Sequence, residues 1–297
     1  MGILRRGIYT PLVTPFVEDE VDYQALRNNV NKLNSSSIQG YLILGSSSES
    51  ILLNREERLK VIQEVIKIGR KAGKMILVGV MEESTKSAMS FISEADKFDP
   101  DVYLILPPTY YKPSIKEDTF INFYRDLSRA TEIPLFYYNV PIFSSILIDS
   151  EILIKIIKKA WIKGWKDSSA ELERFVDIVN ESGSDFQSFT GNAGLLFDTL
   201  KNGSDGGIVA ISNALPDLCS SIYTAYSEEK FDEAEKIQSA LSNFAENVTI
   251  PFGLAGLKYA MSYFGYTGGS VRKPYSDLDK DAADHLRQFL DSETIIP

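Results

Sequence analysis

Eight short apolar or β-branched runs recur along the chain, separated by segments of helical period. The runs cover residues 8–13, 41–44, 75–80, 102–106, 134–139, 162–166, 186–190 and 207–210. Between them, apolar residues return every three or four positions, as at Leu26, Val30 and Leu33. Strands separated by helices run parallel, and eight such units in about 250 residues suit a closed (β/α)8 barrel. We therefore predict an α/β fold of the TIM-barrel type.

The end of the chain departs from this alternation. Apolar residues at helical spacing continue through Phe231, Ala234, Ile237 and Leu241, without a clear strand. We predict a catalytic barrel over residues 1–227 and an additional C-terminal helical segment over 228–297. An open doubly wound sheet is the competing fold, but it calls for a glycine-rich phosphate loop after the first strand, where this chain has TPLVTPF.

The charge balance narrows the class of partner. The 297 residues contain 31 Lys and Arg against 41 Asp and Glu, a formal net charge of -10. This is not the electrostatic pattern of a protein that binds nucleic acid or an anionic membrane. No apolar run approaches the roughly 20 residues that span a bilayer, and the opening MGILRRGIYT lacks the apolar stretch of a signal peptide. We expect a cytoplasmic protein with a small-molecule substrate.

Histidine and cysteine are nearly absent. The one histidine, His285, lies in a charged helical stretch, and the one cysteine, Cys219, lies in an apolar context typical of a core residue. A histidine-rich metal site or a Ser-His-Asp triad is therefore hard to build from this chain. We expect no metal and no cofactor, so catalysis must use other groups.

In a barrel of this type the chemistry lies at the carboxyl ends of the strands, and Lys166 ends the sixth run within GWKDSSA. Most lysines extend their charge to solvent, and position alone leaves that interpretation open. In an apolar barrel mouth, however, desolvation favours the neutral amine, which attacks a carbonyl to form a Schiff base. The resulting iminium draws electrons from the adjacent carbon, which permits carbon–carbon cleavage without a metal.

Two further segments fall at the same predicted rim. FYYNVP at the end of the fifth run supplies Tyr138 as a proton shuttle, although a tyrosine there also suits a core. GSSSES, residues 45–50, follows the second run, and its serines and amides suit a carboxylate, although serine-rich segments are commonly plain loops. Asp167 points to the opposite strand face from Lys166, so we predict a structural role for it.

The order of motifs along nearly the whole chain resembles one family. TPLVTPF, GSSSES with LNREER, PPTYYKPS, YYNVP, GWKDSSA and GIVAISNALP are similar to the dihydrodipicolinate synthase and N-acetylneuraminate lyase superfamily of pyruvate-dependent class I aldolases. The resemblance implies that Lys166 is the Schiff-base lysine and Tyr138 the proton-transferring tyrosine. It also implies that Ser46 and Ser47 are the hydroxyl residues of the pyruvate carboxylate loop, in which Ser48 replaces a glycine.

The same resemblance implies an assembly. The family usually forms tetramers built from dimers, and Tyr111 in PPTYYKPS looks like the tyrosine that reaches a neighbour's active site. We therefore expect a homotetramer, with Tyr111 among the catalytic residues.

The choice within the family depends on NVPIFSSIL, which lacks the arginine that the synthases carry shortly after their asparagine-x-proline element. We expect cleavage of a 2-keto-3-deoxy sugar acid, 2-keto-3-deoxygluconate above all, to pyruvate and glyceraldehyde. N-acetylneuraminate lyase and a dihydrodipicolinate synthase-like enzyme are the alternatives; a non-catalytic ligand-sensing barrel and a phosphate-binding barrel enzyme remain as other classes. Beyond the lysine and the tyrosines, the expected substrate-binding residues are Ser46, Ser47, Gly191, Asn192 and Ser212.

Overall fold

A closed barrel of eight parallel strands forms the body of the protein in a computed structural model that describes residues 2–292. The strands are β1 (Gly7–Pro11), β2 (Gly40–Ile43), β3 (Met75–Met81), β4 (Val102–Leu106), β5 (Leu135–Asn139), β6 (Gly164–Asp167), β7 (Gln187–Thr190) and β8 (Gly206–Ile208). Each pairs with the next, and β8 closes on β1. The predicted TIM barrel is confirmed, and every predicted run contains a strand within two or three residues of its expected bounds.

Helices follow the strands and cover the barrel. They are α1 (Tyr23–Leu33), α2 (Arg55–Gly69), α3 (Thr85–Ala95), α4 (Glu117–Ser128), α5 (Ser150–Lys158), α6 (Leu172–Ser182), α7 (Leu196–Lys201) and α8 (Pro216–Ser227). Their apolar faces form a large buried cluster with the outer side of the sheet. A separate buried cluster fills the barrel, with side chains such as Leu42, Leu104, Phe136 and Phe189.

Three further helices follow the barrel: α9 (Phe231–Phe244), α10 (Ile250–Tyr263) and α11 (Lys280–Leu290). A π-helical turn, Ala245–Thr249, joins α9 to α10, and Gly253 interrupts α10 with a φ of 53°, a conformation that favours glycine. Helical structure after residue 227 agrees with the expected segment; its last five residues, 293–297, lie outside the described residues. The division into a barrel and a separate segment stays a prediction.

The sequence pattern did not predict one small element, a hairpin after β1. Phe16–Val17 and Glu20–Val21 pair as a two-stranded hairpin, and the turn residues Glu18 and Asp19 both have positive φ. Phe16 also bridges to Ser270, so the segment after α10 is tied to the rim of the barrel. Within residues 2–292, no helix combines the length and apolar character needed to cross a membrane.

Candidate active site

The centre of the site is set by the pairing of β5 with β6. Tyr138 lies directly opposite Lys166 in the parallel register. Phe136, two residues before Tyr138, packs inside the barrel, and side chains alternate along a strand, so both Tyr138 and Lys166 point inward. The Lys166 Nζ lies 3.4 Å from the Tyr138 hydroxyl, and the two side chains are 5% and 2% exposed.

A tight turn after β2 brings a third group to this pair. Ser46–Ser48 forms a single 3-10 turn, and the Ser46 Oγ lies 3.1 Å from the Tyr138 hydroxyl. Two hydrogen bonds tie this turn to the segment that follows β1. Ser48 Oγ donates to the Leu12 carbonyl at 2.6 Å, and Thr14 Oγ1 donates to the Ser48 carbonyl at 2.8 Å. The serine hydroxyl, the phenol and the amine thus form one continuous polar line.

Ser48 fits this turn without a glycine. The positive φ angles of the loop belong to Leu44 at 57° and Glu49 at 54°, and Ser48 lies outside that region. Its side chain is buried and bonded to the backbone of the first strand's connection. The serine in place of the family's glycine therefore adds a hydrogen bond to the loop and introduces no strain at its own position.

A cavity of about 340 Å³ opens above the pair. Its polar lining includes Ser46, Ser47, Tyr138, Lys166, Ser168, Asn192 and Thr249, and its apolar lining includes Ile142, Phe143, Ile250, Leu254 and Leu257. Lys166 is the one cationic side chain among the residues that line it. The expected residues Ser46, Ser47, Gly191 and Asn192 thus all lie on the same cavity as the lysine.

Gly191 is present because a side chain does not fit. A Cβ at this position would lie 1.9 Å from Ser168 Oγ and 2.8 Å from Lys166 Cε. Contacts this short do not occur between real atoms, so a side chain here would displace Ser168 and crowd the Lys166 side chain. Gly191 therefore keeps open the space in which the Lys166 side chain extends.

Ser212, an expected substrate-binding residue, is not among the described residues that line the lysine cavity. Its side chain is fully buried, and its hydroxyl donates to the Val209 carbonyl at 2.6 Å. The neighbouring Asn213 is also fully buried; its amide donates to the Pro11 carbonyl and accepts from Val13 N. Ser212 thus closes its own turn, and Asn213 fastens the turn after β8 to β1 and to the segment that follows β1. The sequence shows polar residues at the end of a strand, but it does not show which of their side chains form hydrogen bonds to the backbone.

Tyr111 lies away from Lys166 in the single chain. Its side chain is 73% exposed, and its ring packs edge-on against Tyr110 at a centroid distance of 5.0 Å. Cys219 is fully buried in the core, as predicted, and burial raises the pKa of its thiol. His285 is exposed beside the Phe252 ring. The chemistry of the cavity therefore depends on neither of these last two residues.

A second, larger cavity of about 640 Å³ adjoins the first, and the two share Ser46, Val140, Phe143, Gly253 and Leu254. Its lining is mostly apolar, with side chains such as Ile51, Leu52, Met81 and Leu106, and it contains three carboxylates. Each carboxylate already has a partner: Glu49 binds Lys258, Glu82 binds Arg58, and Glu83 accepts from Thr109 and Tyr110. Each carboxylate that lines the second cavity is therefore either ion-paired or hydrogen-bonded.

Comparison with known proteins now decides the family. The Dihydrodipicolinate synthetase family matches residues 4–293. The chain belongs to this family. It is an enzyme, a carbon–carbon lyase of the aldolase type.

Relatives within the dihydrodipicolinate synthetase family differ in activity. The chain is 30% identical to a 4-hydroxy-tetrahydrodipicolinate synthase of Bradyrhizobium diazoefficiens, over 91% of this chain and 90% of that one. It is 28% identical to an L-threo-3-deoxy-hexylosonate aldolase of Hypocrea jecorina, over 92% and 91%. A solved structure of KD(P)GA from T. tenax superimposes with a TM-score of 0.87 at 23% identity, over 95% and 96%, which supports the fold. These relatives establish the family and leave the substrate open.

Two features of this family member were not anticipated from sequence. Glu49, which directly follows the turn Ser46–Ser48, forms an ion pair with Lys258 of α10 at 2.6 Å, and both side chains are buried. Ile250 and Leu254 of the same region line the lysine cavity. A signal for the first existed, because Lys258 interrupts the apolar run GLKYAM. A lysine in such a run needs a buried partner, and only the fold identifies it.

Proposed function

We propose that this enzyme is a Schiff-base aldolase that cleaves a 2-keto-3-deoxy sugar acid, 2-keto-3-deoxygluconate above all, to pyruvate and glyceraldehyde. The observation that carries the proposal is the environment of Lys166. Its amine is buried, and within residues 2–292 no carboxylate oxygen lies within 4 Å of it. Its polar neighbour is the Tyr138 hydroxyl. An amine held in this way is available as a nucleophile.

The proposed reaction uses the polar line of the site. The Lys166 amine attacks the C2 carbonyl of the keto acid, and loss of water gives an iminium. A base removes the proton of the C4 hydroxyl, the C3–C4 bond breaks, and its electron pair moves into the iminium to leave an enamine and an aldehyde. Protonation at C3 and hydrolysis release pyruvate and the free amine. The iminium is the electron sink, so the reaction needs neither a metal nor an organic cofactor.

Tyr138 is placed to move these protons. Its hydroxyl lies between the Lys166 amine and Ser46 Oγ, at 3.4 Å and 3.1 Å. A positioned acid–base group must lie within about one hydrogen bond of the atoms it serves. In the proposed complex the substrate carboxylate binds the turn Ser46–Ser48, because Ser46 and Ser47 line the cavity and hydroxyl and amide groups of such a turn suit an anion.

The aldehyde end of the substrate is inferred from what lines the cavity. Phe143 belongs to the stretch after NVP in which the resemblance places the carboxylate-binding arginine of the synthases, and it lines the cavity. Ile142, Ile250 and Leu254 extend the same apolar wall, and Asn192 supplies an amide for hydroxyl groups. An aldehyde fragment with hydroxyl groups and without a second carboxylate or a phosphate suits this wall, and a deoxy-hexylosonate aldolase among the relatives supports it.

We also propose that the enzyme acts in the cytoplasm as a homotetramer in which Tyr111 of one subunit enters the second cavity of its neighbour. Tyr110 and Tyr111 are both more than 70% exposed, and Ile51 at the mouth of that cavity is 75% exposed. Ser46 lines both cavities, so a phenol that entered the second one would extend the line from Lys166 through Tyr138 and Ser46.

The decisive experiment is reductive trapping. Incubation with pyruvate and borohydride is expected to add an irreversible adduct to Lys166, located by peptide mass mapping, because the iminium is reduced to a stable amine. Lys258, the other buried lysine of the barrel mouth, is the internal control and should remain unmodified. An adduct on another lysine, or none on folded protein, would remove the proposal.

The substrate is tested separately by pyruvate release. The screen covers 2-keto-3-deoxygluconate, its galactonate epimer, their 6-phosphates and N-acetylneuraminate. We expect the highest kcat/KM for a non-phosphorylated deoxy sugar acid. Brisk cleavage of N-acetylneuraminate alone would leave the Schiff-base chemistry intact and move the substrate assignment to a sialic-acid lyase.

A further inference from the structure

The outer face of β5 and β6 carries a buried polar pair directly behind the catalytic pair. In the same register in which Tyr138 faces Lys166, Asn139 faces Asp167. The Asn139 Nδ2 donates to Asp167 Oδ1 at 2.5 Å, and the side chains are 0% and 4% exposed. Each of these residues is covalently adjacent to a member of the catalytic pair. The two strands are thus joined by side chains on both faces at one level.

The polar pair is satisfied on both sides. The Tyr137 hydroxyl donates to Asn139 Oδ1 at 2.9 Å, and Ser169 Oγ donates to Asp167 Oδ2 at 2.9 Å. Because the amide must receive one bond through its oxygen and give another through its nitrogen, the orientation of Asn139 is fixed. The chain Tyr137, Asn139, Asp167, Ser169 therefore has one arrangement of donors and acceptors.

The backbone around the pair is held at the same level. Ser168 N donates to the Asn139 carbonyl at 2.9 Å, and Gly191 N donates to the Asp167 carbonyl at 2.5 Å. Gly191 is the residue whose missing side chain leaves room for Lys166. The pair thus lies at the point where the ends of β5, β6 and β7 are fastened to one another.

A buried carboxylate is a costly way to fill this space. Apolar residues of similar size often replace buried ionic groups without loss of stability. Asp167 has no cationic group within 4 Å among the described residues, and burial raises the pKa of its carboxyl. Stability alone is a weak reason for such a group, whereas directional hydrogen bonds between two strands fix their relative height.

We propose that Asn139 and Asp167 are positioning residues, which hold Tyr138 and Lys166 at the distance and height that imine formation requires. This inference rests on the proposed function only in that Lys166 forms an imine with pyruvate. Successive strand residues are about 3.3 Å apart, and a displacement of about 1 Å at a reacting group can cost about 100-fold in rate. A small slip of β5 along β6 is therefore sufficient to impair the reaction.

The test is a reciprocal exchange of the two side chains. Asn139→Asp places two carboxylates face to face and removes the donor. Asn139→Asp with Asp167→Asn restores one donor and one acceptor: the new carboxylate at 139 accepts from Tyr137 and from the new amide, whose oxygen accepts from Ser169. We expect the single variant to form the pyruvate imine about 100-fold more slowly, and the double variant to recover to within about tenfold of the wild type.

A matched control lies on the same outer face of β6, two residues before Asp167. Trp165 Nε1 donates to Ser188 Oγ at 2.9 Å, both residues are buried, and they are opposite each other between β6 and β7. Ser188→Ala removes this bond without touching the level of Lys166. It is expected to lower Tm with an unchanged rate of imine formation. Asp167→Asn alone, which keeps an acceptor for Asn139, is a milder variant for the case in which Asn139→Asp does not fold.

The readouts are Tm, the rate of borohydride-trapped imine with pyruvate, and kcat and KM for whichever sugar acid is cleaved. The positioning role requires a slower rate at unchanged KM, recovered in the exchange. Recovery of Tm without recovery of rate, or an unchanged rate in both Asn139→Asp and Asp167→Asn, would overturn it. A wild type that traps no pyruvate would instead remove the proposed function, and the inference with it.

Discussion

Two lysines are buried at the mouth of this barrel, and they are treated in opposite ways. Lys258 is 2% exposed and donates to Glu49 Oε1 at 2.6 Å and to the Thr14 carbonyl at 2.9 Å. Lys166 is 5% exposed, and its polar contact is one hydroxyl at 3.4 Å. Burial lowers the pKa of the Lys258 ammonium, and the Glu49 charge opposes that shift. Lys258 is thus held by a counter-ion and a carbonyl, whereas the Lys166 amine is free of carboxylate partners among the described residues and can meet a substrate.

The difference shows how the same residue type serves structure and chemistry within one site. A fully bonded ammonium has no free electron pair and no reason to leave its partners, so Lys258 fastens elements together. The Lys166 amine has one hydroxyl neighbour and no carboxylate within 4 Å among the described residues, so no ion pair holds its nitrogen away from a substrate. The two roles also meet, because Glu49 directly follows the turn whose Ser46 contacts Tyr138.

The largest effect is expected from removing the available lysine. Lys166→Met should abolish turnover and pyruvate trapping, because no other group can form the imine. The fold should persist, since the methionine retains most of the apolar stem and leaves no buried charge unpaired. Tm and the pyruvate assay check the two halves; residual turnover above a few tenths of a per cent would contradict a covalent mechanism at Lys166.

The neighbouring hydroxyl gives the next effect. Tyr138→Phe should lower kcat by about 10²–10⁴-fold, the usual worth of a positioned acid–base group. The ring still fits its buried place, so Tm should change little. Some imine should still be trapped with pyruvate, which separates proton transfer from attack. Near-normal turnover would exclude Tyr138 as the proton carrier.

The contrasting lysine should affect stability before chemistry. Lys258→Met leaves Glu49 buried without its cation and should lower the free energy of unfolding by about 3–5 kcal/mol. Lys258→Met with Glu49→Gln removes both charges and should recover part of that loss. Denaturant unfolding measures both. Equal stability of the single and double variants would show that the ion pair does not hold the serine segment to α10.

This comparison also shows where sequence reasoning stops. The alternation of apolar runs and helical segments predicted the barrel, and the ends of its strands predicted Lys166, Tyr138 and the serine turn on one rim, because parallel strands all end on the same side. The bond from the Ser212 hydroxyl to the Val209 carbonyl could not be predicted, because a hydroxyl that bonds the backbone of its own turn looks the same in sequence as one that faces a ligand. The partnership of Glu49 with Lys258 joins positions 209 residues apart, and no local pattern encodes that contact.

Substrate charge should give a smaller effect. Among the described lining residues of the lysine cavity, Lys166 is the one cation, and Arg272 is already bound to Glu57 at 2.7 Å. A distal phosphate would therefore lack a partner, which costs about 1–3 kcal/mol. We expect kcat/KM for 2-keto-3-deoxygluconate to exceed that for its 6-phosphate by about tenfold or more, at fixed ionic strength. A preference for the phosphate would indicate that Lys112 or Lys116 moves into the site.

The smallest effect concerns Asp167, a buried carboxyl with no cationic group within 4 Å among the described residues. Burial raises the pKa of this carboxyl in the folded protein, and hydrogen bonds from Asn139 and Ser169 together with the Arg174 charge oppose that shift. The folded state therefore binds the proton more tightly than the unfolded state does. Its contribution to stability is present below the ordinary aspartate pKa and is lost as pH rises through the raised value.

Asp167→Asn has no proton to lose, so its stability relative to the wild type should improve between pH 4 and pH 7. Each kcal/mol corresponds to about 2–4 °C in Tm for a chain of this order of size. Ser188→Ala, which adds no titrating group, should keep a constant Tm difference from the wild type over the same interval. A constant difference for Asp167→Asn as well would mean that the hydrogen bonds from Asn139 and Ser169 and the Arg174 charge fully offset the burial of this carboxyl.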